Sequence, residues 1–219
     1  MGAFDPNCQR CPRLAANLAE VRERHPDYHA APVPCFGPPD ARLLIVGLAP
    51  GMHGANRSGR PFTGDASGRL LFEVLFETGF ANRQQSCRRR DGLQLLGCRL
   101  TNAVKCLPPG NRPVAAEISN CREYLDAEIS ALWRPTVRKA RVLLALGRIA
   151  HDAIVSVVRP ATATPFGHGA RYLVHDRLWL IDSYHPSRQN VNTGRLTRQM
   201  LFDVFAFARQ TLDGSEPPA

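Results

Sequence analysis

Residues 43–68 read LLIVGLAPGMHGANRSGRPFTGDASG, and this stretch decides the fold. It begins with four apolar residues, 43–46, a run that is too short for a helix and is typical of a buried parallel strand. A loop rich in glycine and proline follows, and residues 70–80 then have the pattern of an amphipathic helix. The order of strand, long glycine-rich loop and helix is typical of an open α/β sheet, in which such loops border the ligand crevice.

The glycine-rich loop lacks the signatures of the common phosphate-binding folds. It does not end in the Lys-Ser/Thr pair of a P-loop, and its glycines do not have the G-x-G-x-x-G spacing of a dinucleotide-binding fold. We therefore expect no nucleotide cofactor. A generic α/β loop is the alternative, but the polar content of the loop favours an active site. Its polar residues are His53, Asn56, Arg57, Arg60, Thr63 and Asp65.

Three more apolar runs continue the strand pattern, each followed by a helix or a long loop; they are 99–104, 141–146 and 178–183. Helical patterns cover 14–24, 114–133, 148–158 and 194–212. This alternation predicts a three-layer α/β/α sandwich with a central four-stranded parallel sheet, and residues 172–174 have the pattern of a minor strand. We expect a single domain, 1–219, with an irregular N-terminal segment, 1–41, and a frayed tail, 213–219.

The charge of the chain favours a polyanionic partner. The formal net charge is +9, and all basic residues except Lys105 and Lys139 are arginines. Arginine forks bind phosphate well, although a genome rich in arginine codons would give the same composition. No apolar run approaches the length of a membrane span, and the N-terminus does not have the pattern of a signal peptide. We expect a cytoplasmic monomer.

The chain has seven cysteines, and four of them form two pairs. An odd number in a cytoplasmic protein argues against a disulfide framework and favours metal ligands or free thiols. Cys8 and Cys11 form a C-x2-C pair, and Pro12 directly after it disfavours a redox motif. Cys106 and Cys121 are separated by fourteen residues. Four thiolates at this loose spacing favour an iron–sulfur cluster over zinc, which remains the alternative.

Three blocks together carry a family resemblance. They are residues 47–68 quoted above, TNAVKCLPPGNRP at 101–113 and HPSRQNVNTGRLT at 185–197. With the paired cysteines, they resemble the uracil-DNA glycosylase superfamily, and within it the iron–sulfur type B branch, or family 5. The resemblance covers nearly the whole chain. It implies a parallel sheet between helices, and a 4Fe-4S cluster held by Cys8, Cys11, Cys106 and Cys121.

The resemblance also implies a reaction on DNA that contains uracil or other deaminated bases. The damaged base is flipped out of the duplex, and its N-glycosidic bond is hydrolysed, which starts base-excision repair. A protein with this activity would associate with the nucleoid through DNA. The sequence leaves a second hypothesis open, a non-catalytic, metal-stapled module that binds DNA or uracil.

The resemblance implies base-binding roles for individual residues. Phe62 matches the aromatic residue that stacks on the flipped base, and His185 matches the histidine that stabilises the departing base anion. Asn102 lies where other branches have the asparagine that reads the Watson–Crick edge of uracil, although the type B branch often has a small residue there. The other base-binding candidates are Gly51, Met52 and His53.

Two further residues are candidates for the hydrolytic step. Asp65 would stabilise the sugar cation or orient water, and it would also suit the N-cap of a helix at 66–79. Asn111 matches an asparagine beside the cluster that positions water. Leu48 departs from related branches, which have a polar or acidic residue there, and this departure keeps the non-catalytic hypothesis open.

The expected DNA contacts flank the motif blocks. We expect the loop after His185 to fill the space left by the flipped base, with Arg188 and Gln189 as a polar wedge. Arginines near the same loops would bind phosphates. The complete set is Arg57, Arg60, Arg188, Gln189, Asn190 and Arg195. We expect no functional role for Cys35, Cys87 and Cys98.

Overall fold

The structure is a computed structural model that describes residues 4–134 and 138–214, so most of the expected tail lies outside the described residues. The helices are α1 (Pro12–Arg24), α2 (Ala55–Ser58), α3 (Ala66–Glu77), α4 (Ala115–Leu132), α5 (Arg148–Val158), α6 (Arg188–Asn192) and α7 (Arg198–Asp213). The strands are β1 (Leu43–Gly47), β2 (Cys98–Asn102), β3 (Arg141–Leu146), β4 (Arg171–His175) and β5 (Leu178–Ser183). A 3₁₀ turn spans Pro109–Asn111.

The strands form one sheet in the order β2-β1-β3-β5-β4. All neighbours are parallel except β4, which runs antiparallel to β5 at the edge of the sheet. The predicted parallel sheet is confirmed, but it has five strands and not four. The additional strand is β4, in which only Val174 is buried, so it lacks the continuous apolar run that marks the central strands.

Helices cover both faces of the sheet, which confirms the predicted three layers. Leu43 and Ile45 of β1 belong to the core beneath α3 and α7, whereas Leu44 and Val46 belong to the core beneath α4 and α5. A strand buried on both faces must be apolar at every position. This is the physical reason for the unbroken apolar run at 43–46.

Helix α1 packs outside the sheet, in a third apolar cluster. Its buried residues Leu14, Leu18 and Val21 contact a cluster that includes Val104 and Tyr124. The N-terminal segment therefore docks on the loop after β2 and on α4. No helix among residues 4–134 and 138–214 is long and apolar enough to cross a membrane.

The C-terminal part of the chain differs from the predicted single closing helix. The closing helix begins at Arg198, where the Thr197 hydroxyl accepts a hydrogen bond from the Met200 N–H, and not at 194. Residues 188–192 form the short helix α6, capped by Ser187. Gly194 separates the two helices with a φ of +69°, a conformation that suits glycine and interrupts the helical path.

The sheet order creates a crevice at the carboxyl ends of the strands. Neighbouring strands β1 and β3 are followed by α3 and α5, which cover opposite faces of the sheet. Loops that leave adjacent strands in opposite directions leave a gap between them, and ligands of open α/β folds bind there.

Candidate active site

A cavity of about 660 Å³ lies at the carboxyl ends of β1, β2 and β5. This volume is within the range of about 300–1,000 Å³ that is typical of ligand pockets. The structure brings all eight expected base-binding and catalytic residues to its wall: Gly51, Met52, His53, Phe62, Asp65, Asn102, Asn111 and His185. Leu48, Arg188 and Gln189 also line it.

The Phe62 ring and the Asn102 amide meet above the last residue of β1. A Cβ atom on Gly47 would lie 2.6 Å from both the Asn102 Oδ1 and the Phe62 Cζ, so only glycine leaves room for both groups. The backbone of Phe62 has a φ of +55°, which is rare for a residue with a bulky side chain and marks a constrained position. The ring centroids of Phe62 and His185 are 6.2 Å apart.

A buried lysine holds the loop that carries Asn102. Lys105 is 1% exposed, and its ammonium donates to the Asn102 carbonyl (2.9 Å) and to the Glu128 carboxylate (2.8 Å). The Thr101 hydroxyl donates to the same carboxylate. A buried charge needs this complete set of partners, and the network fixes the backbone from which the Asn102 amide reaches the cavity.

The two carboxylate oxygens of Asp65 have different surroundings. Oδ1 accepts a hydrogen bond of 2.8 Å from the Gly68 N–H and caps α3, which confirms the expected cap. Oδ2 lies against Gly51 and Gly54, and a Cβ on Gly54 would collide with the carboxylate. One oxygen therefore stabilises the helix, and the other is left at the cavity wall.

His185 follows β5 and faces the cavity as a neutral imidazole. Burial lowers its pKa, and the charge of Asp65 acts in the opposite direction without reversing the shift. Its carbonyl accepts hydrogen bonds from the Asn190 side-chain amide (2.8 Å) and the Ser187 N–H (2.8 Å). Asn190, expected to contact DNA, therefore acts on the backbone that carries His185.

Two residues of the N-terminal segment support the cavity wall, and neither belongs to a recognisable sequence motif. The Tyr28 hydroxyl lies 2.9 Å from the His53 Nδ1. The His25 ring stacks on Tyr28 with a centroid distance of 4.5 Å. Met52 and Tyr28 also pack against the apolar cluster of α1. The base cavity and the N-terminal segment are thus in direct contact.

The structure argues against a DNA contact by Arg60. Its side chain is 4% exposed, and its guanidinium donates to Thr63 (2.8 Å), Ser86 (2.6 Å) and Asp91 (2.7 Å). A guanidinium that is bonded internally and covered has no surface to offer to a phosphate. The other expected contacts, Arg57, Arg188, Gln189 and Arg195, are exposed.

The four paired cysteines converge on the third apolar cluster. Cys106 and Cys121 are buried in it, and Cys8 and Cys11 pack against it. Burial, together with the neighbouring thiols, raises the pKa of Cys106 to about 12. The Asn120 amide donates to the Cys11 sulfur at 3.4 Å. In the described part of the chain, no three His, Cys, Asp or Glu side chains are arranged to hold a single metal ion.

The other three cysteines lie elsewhere. Cys98 is buried and donates to the Phe80 carbonyl, and Cys35 accepts a hydrogen bond from Arg99. Cys87 is exposed. These three cysteines are therefore not part of the apolar cluster that the four paired cysteines share.

Comparison with known proteins agrees with this geometry. Residues 34–209 match the family model of the uracil DNA glycosylase superfamily. The type-5 uracil-DNA glycosylase of Thermus thermophilus is 46% identical over 209 residues, which cover 93% of each chain. That of Pyrobaculum aerophilum is 44% identical over 90% of this chain and 86% of its own. The type-4 enzyme of Archaeoglobus fulgidus is 36% identical over 57% of this chain and 53% of its own.

The family resemblance drawn from the three sequence blocks is therefore confirmed. The matched region contains the whole sheet and every residue of the cavity wall, and type-5 relatives align over nearly the full length. The chain belongs to the uracil-DNA glycosylase superfamily.

Proposed function

We propose that this protein is a uracil-DNA glycosylase, which flips uracil out of DNA and hydrolyses its bond to deoxyribose. The observation that carries the proposal is the meeting of Phe62, Asn102, Asp65 and His185 at one cavity. These side chains supply an aromatic face, an amide, a carboxylate and a neutral imidazole. They suit an extruded pyrimidine: the aromatic face and the amide can bind the base, and the carboxylate and the imidazole can stabilise the charges that develop as the glycosidic bond breaks.

In this proposal, Phe62 and Asn102 bind the extruded base. The base stacks on the Phe62 ring, which packs closely against Gly47. The Asn102 amide donates to uracil O4 and accepts from N3–H. Cytosine carries an amino group in place of O4 and has no N3–H, so the same amide, once oriented, leaves cytosine with unpaired groups. The Lys105 network holds the backbone from which this amide extends.

The bond between C1′ and N1 then breaks, and its electron pair leaves with the base. The neutral His185 donates a hydrogen bond to the base carbonyl that takes up the negative charge. The Asp65 carboxylate stabilises the positive charge on the sugar. Water adds to C1′ and gives its proton to Asp65 or to solvent, with Asn111 positioning it. One such electrostatic partner is typically worth about 10²–10³ in rate.

A single oligonucleotide assay tests the proposal. A strand with one uracil is incubated with the protein, and alkali converts any abasic site to a strand break. We expect cleavage by the wild type, and losses of about 10² or more for His185→Ala and Asp65→Asn. Lys139→Ala is the control, because Lys139 precedes β3 at the amino ends of the strands, whereas the cavity lies at their carboxyl ends. Tight binding without cleavage would instead favour the non-catalytic module that Leu48 keeps open.

We also propose that Cys8, Cys11, Cys106 and Cys121 hold a 4Fe-4S cluster with a structural role. The donor set is sulfur only and lies in an apolar cluster, with the Asn120 amide donating to one sulfur. Sulfurs that bind different iron atoms lie farther apart than the ligands of one ion, so the site need not resemble a mononuclear one. The bound cluster would supply the charge that lets buried thiols ionise.

The colour and metal content of the purified protein test this assignment. We expect brown protein with iron and sulfide, and loss of the visible absorbance in Cys121→Ser. Cys87→Ser is the matched control and should stay brown, since Cys87 is exposed and lies apart from the four. Colourless protein with stoichiometric zinc would show that the four cysteines bind zinc and not a cluster. Loss of colour in Cys87→Ser would show that the proposed ligand set is wrong.

A third proposal concerns the wedge that replaces the flipped base. Arg188 and Gln189 are exposed on the first turn of α6 and border the base cavity. The double variant Arg188→Ala/Gln189→Ala should slow cleavage of duplex uracil far more than of single-stranded uracil, in which no stack needs filling. His185→Ala should slow both equally. Equal losses of cleavage rate for the double variant on the two substrates would show that α6 only lines the pocket and does not act as a wedge.

A further inference from the structure

A second cavity of about 460 Å³ borders the base cavity and shares Asp65, Ala66 and Arg188 with it. Three exposed arginines line it: Arg57, Arg69 and Arg188. They come from α2, α3 and α6, so the chain brings together cations that are far apart in sequence. The far wall is formed by residues 85–87. We call this space the arginine groove.

The far wall of the arginine groove is held by a buried ion pair. Asp91 accepts hydrogen bonds from the Arg60 guanidinium (2.7 Å) and from the N–H groups of Cys87 (2.9 Å) and Arg88 (3.2 Å). Burial raises the pKa of Asp91, but these donors outweigh burial and hold the pKa well below its usual range. Asp91 is therefore ionised near neutral pH, and the loop is fixed although its surface is polar.

The charge of the arginine groove fits a phosphodiester. Asp65 is the carboxylate on its wall, and one of its oxygens already caps α3. Three guanidinium groups outweigh this single charge. Arg88, Arg89 and Arg90 are exposed on the same loop and extend the basic surface away from the base cavity. Guanidinium forks bind phosphate oxygens in pairs, and a row of them follows a backbone.

We propose that the arginine groove binds the phosphodiester backbone next to the extruded nucleotide, with Arg57 and Arg69 as phosphate contacts. The proposal rests on the function proposed above, because the groove opens beside the base cavity and shares Arg188 with it. Arg60, whose sequence position indicated a DNA contact, is instead a positioning residue: it holds the loop that closes the groove.

Salt dependence of binding tests the groove without requiring cleavage. Binding of a duplex that contains no uracil is measured against salt concentration for the wild type, Arg57→Ala, Arg69→Ala and Lys139→Ala. Each lost phosphate contact should reduce the slope of log affinity against log salt by about 0.9. Lys139→Ala also removes one positive charge, but at the amino ends of the strands, away from the groove, and it should leave the slope unchanged. Slopes for Arg57→Ala and Arg69→Ala equal to that of Lys139→Ala would overturn the proposal.

The exposed Cys87 in the groove wall supplies an independent readout. Its rate of alkylation is followed by peptide mass mapping, with and without saturating uracil-free duplex. DNA should protect Cys87 at least several-fold, whereas Cys35, which pairs with Arg99 elsewhere, should react at an unchanged rate. If the protein cleaves uracil but DNA does not protect Cys87, the groove proposal is wrong and the proposed function stands. If DNA protects Cys87 but the protein does not cleave uracil, the groove proposal stands and the proposed reaction is wrong.

Discussion

The Tyr28 hydroxyl lies 2.9 Å from the His53 Nδ1, and this hydrogen bond joins the N-terminal segment to the wall of the base cavity. The His25 ring stacks on the same tyrosine and also lies near His53, with a centroid distance of 6.1 Å. His53 itself is exposed, so the orientation of its ring depends on this partner. The N-terminal segment therefore helps to shape the site, in addition to contributing two of the paired cysteines.

Tyr28→Phe should weaken binding of the base with little effect on the fold. Phenylalanine keeps the stacking with His25 and loses the hydrogen bond, which is worth about 0.5–1.5 kcal/mol. We expect KM for a single-stranded uracil substrate to rise several-fold while kcat changes less. Tyr172→Phe is the matched control, because it also removes one tyrosine hydroxyl bond, to the Pro165 carbonyl. Equal effects of the two variants on KM would contradict the role of Tyr28.

Variants at Asp65 should separate its two roles. Asparagine caps a helix as well as aspartate, so Asp65→Asn should change the free energy of unfolding by less than about 0.5 kcal/mol while slowing cleavage strongly. Asp65→Ala should slow cleavage and also cost about 1 kcal/mol of stability. Thr197→Ala removes the cap of α7 and should cost similar stability without a change in single-turnover rate. Full activity of a stable Asp65→Asn protein would show that Asp65 only caps α3 and has no role in cleavage.

Gly47→Ala should damage the cavity from beneath. The added methyl group would meet the Asn102 Oδ1 and the Phe62 Cζ at 2.6 Å, so both groups must move. Overpacking of this kind typically costs about 1–3 kcal/mol of stability. We expect the cleavage rate to fall at least ten-fold. The affinity for an oligonucleotide that carries a fluorescent base analogue at the flipped position should also fall. A variant that cleaves normally would show that Phe62 and Asn102 need not keep their positions against Gly47.

The pH profile of cleavage should reflect a neutral His185. Burial lowers its pKa, and the charge of Asp65 partly opposes the shift. The neutral form therefore persists below about pH 6.5, the ordinary value of histidine, and single-turnover rates should stay level there. Asp65→Asn removes the opposing charge, so the acid limb of its residual activity should move to still lower pH. A limb centred at the ordinary histidine value in both proteins would contradict this assignment.

The His151–Asp182 pair should make the folded protein more stable at low pH than at high pH. Burial lowers the pKa of His151, but the hydrogen bond of 2.8 Å and the charge of Asp182 outweigh burial and raise it, with Asp152 adding to the rise. The folded state thus binds this proton more tightly than the unfolded state. The stabilisation is full below about pH 6.5 and is lost as pH rises through the raised pKa.

Denaturant unfolding of the wild type and His151→Gln measures this contribution. The difference between their free energies of unfolding should shrink as the pH rises above about 6.5, the ordinary pKa of histidine, at constant ionic strength. Taking the difference cancels His168 and His185, whose pKa values are lowered by burial and which act with the reverse sign. A constant difference across this range would mean that His151 does not exchange its proton there.

The sequence predicted the central strands and the cavity because each obeys a local rule. β1 is apolar at every position since helices cover both its faces, and the motif residues meet because parallel strands end at one edge. β4 follows no such rule, as it is an edge strand with mostly exposed side chains. Its pattern was weak for that reason.

The missed contacts are those between residues that are distant in sequence. Arg57 and Arg60 are three positions apart in one loop, yet the first is exposed and the second pairs with Asp91. Nothing within the loop distinguishes them, because the partner lies thirty-one positions away. Tyr28 is similar: its role depends on the docking of α1 against the loop after β2, which no local pattern describes.

The docking of α1 has a consequence for synthesis of the protein. Leu14, Leu18 and Val21 leave the ribosome early, but their neighbours Val104 and Tyr124 are made much later. Arg13 must likewise wait for Glu117, its ion-pair partner on α4. A growing chain folds from the N-terminus only where partners already exist. Helix α1 is therefore translated before the residues on which it packs and reaches its place only after they have been made, and until then its apolar face needs protection from aggregation.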